Sequence, residues 1–134
     1  MGKPSKLAHE QRRALARLSR VPELSSFSVP GLRDLAVMKL AAIAKRGTYR
    51  DFWDLYEILC RSDTSLDVVL DGYRERFGVA ASDLYHVVRS LTYFGDAEAA
   101  VMMPRGMTER LWQKVTAFFE DRVPDVARRR LEEE

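Results

Sequence analysis

The chain has almost nothing with which to build a redox or metal centre. Its 134 residues include one cysteine, Cys60, and only His9 and His86 as imidazoles. A lone thiol excludes an intramolecular disulfide, and with so few soft ligands it cannot complete a structural zinc site. Seven glycines and five prolines leave little material for a turn-rich β fold. No apolar run approaches the roughly 20 residues that span a bilayer, and the N-terminus has no hydrophobic signal core. The expectation is therefore a cytoplasmic protein with no membrane segment and no metal site of its own. A dominant charge is missing too: 22 basic residues oppose 20 acidic ones, and a net +2 names no partner.

What is present is a chain of one-domain length, 46% hydrophobic and 31% charged, the balance of an ordinary globular protein. Apolar residues recur at helical spacing, and six segments read as helices. Residues 4–20 set Leu7, Ala14, Leu15 and Leu18 on one side with arginines around the rest. Phe27, Val29 and Pro30 read as a short extended link, because the residue before a proline avoids the helical region. A helix over 31–46 follows, with Leu32, Leu35, Met38, Ala42 and Ile43 as its stripe, and Gly47 stops it. Thr48, with Asp51 three residues on, makes a capping box for a helix over 49–61. Ser65 opens a fourth helix that ends near Gly78, and Ser82 caps a fifth. Thr108 begins the last, whose Leu111, Trp112, Val115, Phe118 and Phe119 form the strongest stripe. Pro124 is expected to end or kink it, leaving a frayed charged tail. The predicted fold is all-α, a single compact bundle of about five to six helices. Along the chain this gives a basic N-terminal helix and link (1–27), a helical domain (28–124) and a charged tail (125–134).

Charge falls where the apolar stripes would bury it. At about 100° per residue, Lys39 projects between Leu35 and Ile43, and Arg46 lies within roughly 20° of Lys39. Asp51 falls between the directions of Leu55 and Ile58, and Asp54 sits at the margin of that face. A charge removed from water costs several kcal/mol unless it is paired. Lys39 or Arg46 is therefore expected to meet Asp51 across the Gly47 turn. Two meanings stay open: a structural ion pair at the core edge, or a phosphate-binding edge in which a carboxylate orients the cations.

The stretch from Asp34 to Ile43, followed by Arg46-Gly47 and by Arg50-Asp51-Phe52-Trp53-Asp54-Leu55-Tyr56, resembles the AbiEii/AbiGii family. These are nucleotidyltransferase-fold toxins of type IV toxin–antitoxin and abortive-infection systems. The likeness continues through Tyr85 to Phe94, Asp96-Ala97-Glu98 and Met103-Pro104, and closes with Trp112, Lys114, Val115, Phe118 and Phe119. It covers roughly residues 26–120 and concerns the family's C-terminal helical half. By this resemblance Lys39 matches the family's active-site lysine and Asp51 the aspartate of its last catalytic motif. Arg46 and Asp54 match neighbouring positions that face the nucleotide. The family's Gly-Ser motif and its paired magnesium-binding carboxylates have no counterpart before the matching stretch, where Glu10 and Glu23 are the acidic residues. Nucleotidyl transfer needs those metals to neutralise phosphate charge and activate the attacking oxygen. The chain alone is thus expected not to be an enzyme, with magnesium and a nucleoside triphosphate engaged only if a partner supplies the missing half.

Three functions follow. The domain completes or regulates a nucleotidyltransferase half, as a protein partner or a homodimer through a helical face. Alternatively, the basic N-terminal helix binds RNA through Arg12, Arg13, Arg17 and Arg20. A third reading is a residual nucleotide half-site at Lys39, Arg46, Asp51 and Asp54. Cys60 reads as a packing residue in a buried helix position and His86 as a hydrogen-bonded structural histidine. Trp53, Tyr56 and Trp112 read as core and interface.

Overall fold

A computed structural model describes the backbone of residues 29–132 and the side chains of residues 31–130. Among them every regular element is a helix: α1 Val29–Arg46, α2 Tyr49–Arg61, α3 Leu66–Phe77, α4 Ala81–Ser90, α5 Gly95–Glu98 and α6 Glu109–Glu132. The expected all-α bundle is what forms. The helix read over 4–20, with its Arg12, Arg13, Arg17 and Arg20, lies outside the described residues.

Local chemistry sets most boundaries. The Thr48 hydroxyl accepts from the Asp51 N–H at 3.2 Å, and the Asp51 carboxylate accepts from the Thr48 N–H at 3.2 Å. This reciprocal capping box starts α2. Ser65 caps α3 through the Val68 N–H, and Gly78 ends that helix at φ 61°, a left-handed conformation that suits glycine. Thr108 accepts from the Leu111 N–H at the start of α6.

Four local expectations are corrected. Val29 and Pro30 belong to the first turn of α1 rather than to an extended link, and a proline is tolerated there because first-turn N–H groups have no intrahelical partner. Helix α4 begins at Ala81, so Ser82 is already inside it. The carbonyl of Ala80 closes the first turn by accepting from Asp83 and Leu84. The one-turn α5 is an additional element, with no apolar period to reveal it in the sequence. Finally, α6 runs through Pro124 to Glu132 instead of ending there. Burial of Val123 and Val126 holds the helix on both sides of the proline. Beyond it, Arg130 donates to Asp67 at 3.2 Å and Asp71 at 2.9 Å on α3, and Arg129 donates to Asp67 at 2.9 Å. These ion pairs tie down the stretch expected to fray.

Helix α1 is the hub, packing against α2, α3 and α4. Its buried face is Ala36, Val37, Leu40 and Ile43, while Met38 is 44% exposed and Leu35 only partly buried. The true face is thus rotated away from the stripe read in the sequence. Beneath it, Phe52, Trp53, Leu55 and Ile58 of α2 meet Trp112, Val115 and Phe119 of α6 in the core. No helix of the described residues is long and apolar enough to cross a membrane.

Candidate functional site

The rotation of α1 decides where Lys39 goes. It lies at the edge of the buried face, and its ammonium reaches the Asp54 carboxylate at 2.7 Å. Asp54 is 2% exposed and the Lys39 side chain 19%, so the carboxylate is buried and the cation looks outward. The expected pairing of Lys39 or Arg46 with Asp51 does not form. Lys39 and Asp54 stand at similar distances on either side of the Gly47–Thr48 link, so successive helices bring them level. Asp51 is only two residues into α2 and is engaged by Thr48, whose hydroxyl also donates to it at 2.9 Å. Arg46, the last residue of α1, is exposed.

Lys39, Asp51 and Asp54 line one open cleft of about 570 Å³, and Arg46 does not. Arg50 from the first turn of α2 and Asp96 from α5 complete its charged lining. Thr48 and Tyr49 add hydroxyl-bearing side chains, and the apolar part is Ala97, Ala100, Met102 and Pro104, from α5 and the link that follows it. Three of the four nucleotide-facing positions expected from the sequence therefore converge, and Arg50 takes the place expected of Arg46. Arg50 stands inside the matching motif, but nothing in its local pattern separates it from a solvated arginine. Asp96 stands in the Asp96-Ala97-Glu98 stretch of the likeness, but α5 has no apolar period that would place it at the cleft.

The cleft sets two cations, Lys39 and Arg50, among three carboxylates, Asp51, Asp54 and Asp96. A buried carboxylate fixes the lysine, leaving its remaining N–H donors for a ligand, and Arg50 adds a planar donor set that fits phosphate oxygens. It does not fit a magnesium centre by itself. Among the described residues no group of three or more His, Cys, Asp or Glu is placed to hold a metal ion. Asp51 is committed to the cap and Asp54 to Lys39.

The same helix hides a second acid that the sequence pattern does not reveal. Glu57 is 0% exposed, and its ion pair with Arg61 is long at 3.7 Å. Desolvation pushes its carboxyl up to about 7, against the pull of Arg61 and with a push from Asp54. Cys60, expected to be packed inside, is exposed. Desolvation around its sulfur and the nearby Glu57 raise the thiol above its ordinary range, which lowers its reactivity at neutral pH. His86 is exposed on α4. Trp53 and Trp112 are core residues as expected, at 0% and 2% exposure.

A neighbouring groove of about 550 Å³ shares Asp96 with the cleft and is lined by Lys45, His86, Arg89 and two exposed tyrosines, Tyr85 and Tyr93. The Arg89 guanidinium lies 5.9 Å from the centre of the Tyr85 ring.

No family model matches the chain, and no solved structure matches it. An uncharacterised protein of Aquifex aeolicus (strain VF5) is 31% identical over 97 residues, which is 72% of this chain and 45% of that protein. The chain thus spans less than half the length of the relative it matches.

Proposed function

We propose that this helical domain forms the lysine-bearing wall of a nucleotidyltransferase-type site, related to the C-terminal half of AbiEii/AbiGii-type toxins. It works with a second unit that carries the metal-binding carboxylates. The observation that carries this reading is Lys39, held at 2.7 Å by a buried Asp54 and opening into a cleft with Arg50. In this role Lys39 and Arg50 neutralise the polyphosphate, Asp54 orients Lys39, and Asp51 fixes the first turn of α2 on which Arg50 stands. Magnesium, bound by the second unit, would add phosphate neutralisation and activation of the attacking oxygen. More than half of the Aquifex relative lies outside the match, which leaves room there for such a unit. The second unit is proposed to be a partner protein, with a homodimer through a helical face as the other assembly.

Titration of the chain with ATP, GTP, CTP and UTP, with and without magnesium, tests this by NMR. Saturable shifts are expected at Lys39, Arg50, Asp51 and Asp54. Lys39→Ala should weaken binding about 10-fold or more, the loss of one charge-assisted contact. Arg46→Ala should not, because Arg46 is off the cleft. Silence at millimolar nucleotide, with the fold intact by circular dichroism, rejects the reading.

A second reading is RNA binding, for which the groove of Lys45, Arg89, Tyr85 and Tyr93 offers a surface in addition to the N-terminal arginines expected from the sequence. Exposed rings beside cations suit stacked bases and their phosphates. Fluorescence anisotropy with a single-stranded RNA oligomer should show binding that falls with salt and weakens about 10-fold in a Tyr85→Ala, Tyr93→Ala double variant. Equal affinity of the double variant and the wild type would exclude this groove.

A further inference from the structure

The cleft around Lys39 has two chemically distinct linings. Its charge comes from α1, α2 and Asp96, while Ala97, Ala100, Met102 and Pro104 contribute hydrocarbon and sulfur. This apolar segment is anchored at both ends and open between them. At one end Ala97 is buried, and the Trp112 indole N–H donates to Glu98 at 2.8 Å. At the other, the Met107 N–H donates to the Pro104 carbonyl at 3.0 Å across a turn in which Gly106 takes φ 93°, and Met107 is buried. Between the anchors Met102 is 80% exposed. An apolar side chain held in water by a fixed backbone lacks the partner surface that would remove it from solvent.

We infer that this segment is the base-binding wall of the cleft, receiving the planar ring of a nucleoside phosphate whose phosphates lie toward Lys39 and Arg50. The inference rests on the phosphate reading proposed above. A heterocyclic ring is flat and largely apolar on its faces, and a flexible thioether adapts to such a surface. The volume of about 570 Å³ is in the range of small-molecule sites. Ala97, Ala100, Met102 and Pro104 have no hydrogen-bonding side-chain group, so the wall adds contact area without reading the edge of the base. It supplies affinity for nucleotides as a class, over free polyphosphate.

Calorimetry on the 134-residue chain separates the parts, with tripolyphosphate, adenosine and the four nucleoside triphosphates as probes. Each triphosphate nucleotide should bind about 10-fold tighter than tripolyphosphate, and the four should agree within about 3-fold, since packing on Met102 is shared by all bases. Met102→Ser should bring the nucleotides down to the tripolyphosphate level and leave tripolyphosphate unchanged, whereas Met102→Leu should retain most of the difference. Nucleotides no tighter than tripolyphosphate, or a Met102→Ser loss common to both, would overturn the base wall while a Lys39-dependent affinity kept the phosphate reading. Met102-dependent adenosine binding, with no tripolyphosphate binding and no effect of Lys39→Ala, would overturn the phosphate reading and keep the wall. No binding by any probe overturns both.

Discussion

Phe52→Ala is expected to lower the stability of the domain by about 3–5 kcal/mol, the usual cost of truncating a fully buried aromatic side chain. Phe52 is 0% exposed, and its ring lies 5.4 Å from Phe94, 5.7 Å from Trp112 and 5.8 Å from Phe119 between centroids. These tilted and edge-on contacts add to the area buried. The ring also sits against the α1–α2 link. A Cβ placed at Gly47 would come within 2.7 Å of it, and glycine at that position has no side chain that could swing in to fill the void. Loss of the ring therefore removes transfer energy and leaves a cavity shared by α2, α6 and Phe94 at the start of α5. Urea unfolding followed by tryptophan fluorescence measures the effect. A loss under about 1 kcal/mol would mean that the cluster collapses onto the gap, and that Phe52 is not the centre of a tightly packed core. Phe52→Leu should lose less, since most of the volume stays.

The second large effect is in pH. Glu57 has an ordinary value of 4.5 and is pushed up to about 7, chiefly by desolvation. As pH rises from about 4.5, the unfolded chain releases this proton while the folded protein keeps it until about 7. The unfolded state then binds fewer protons, so stability falls with rising pH across that window and levels off above it. The total is on the order of 3 kcal/mol, from the conversion of about 1.4 kcal/mol per pKa unit. Arg61, the nearest cation, reduces the effect and Asp54 enlarges it. Asp125, whose arginine partners hold its carboxyl below the usual range, titrates beneath this window. Glu57→Gln should abolish the slope and make the variant more stable than the wild type at pH 8, because no charge must be left in the core. Urea midpoints at pH 5, 6, 7 and 8 decide it. A wild-type profile that is flat or rising from 5 to 8 would contradict the burial of Glu57, as would a variant with an unchanged slope.

Residues that act on near neighbours are legible in the sequence. Thr48 and Asp51 form their capping box within one turn, and Gly78 ends its helix by its own backbone freedom. The orientation of α1 is not. Two apolar stripes compete on it, Leu32–Leu35–Ala42 and Ala36–Leu40–Ile43, because α1 is flanked by three helices. A helix with several neighbours carries apolar residues over much of its circumference, so its period does not single out one face. That ambiguity sets Lys39 deeper in the expected core than it lies and gives it Asp51 in place of Asp54. The cluster of Lys39, Asp51 and Asp54 can be suspected from charge on an apolar face. Arg50, Asp96 and Met102 cannot, since their place in the cleft depends on how α5 and its following link fold back toward α2. Glu57 is hidden for a related reason: it lies on a third side of a helix whose other two sides are already accounted for.

Pro124 divides α6 by deleting one backbone hydrogen bond in its interior, and the ion pairs to α3 lie only beyond it. Before the proline, aromatic rings bury the helix against α2. After it, the buried Val126 is joined by Arg129 and Arg130, which bind Asp67 and Asp71 at a partly exposed edge. Salt screens the second kind of contact and scarcely touches the first. Dissolved ions thus address one end of a continuous helix separately from the other, and the proline is the natural boundary between the two responses.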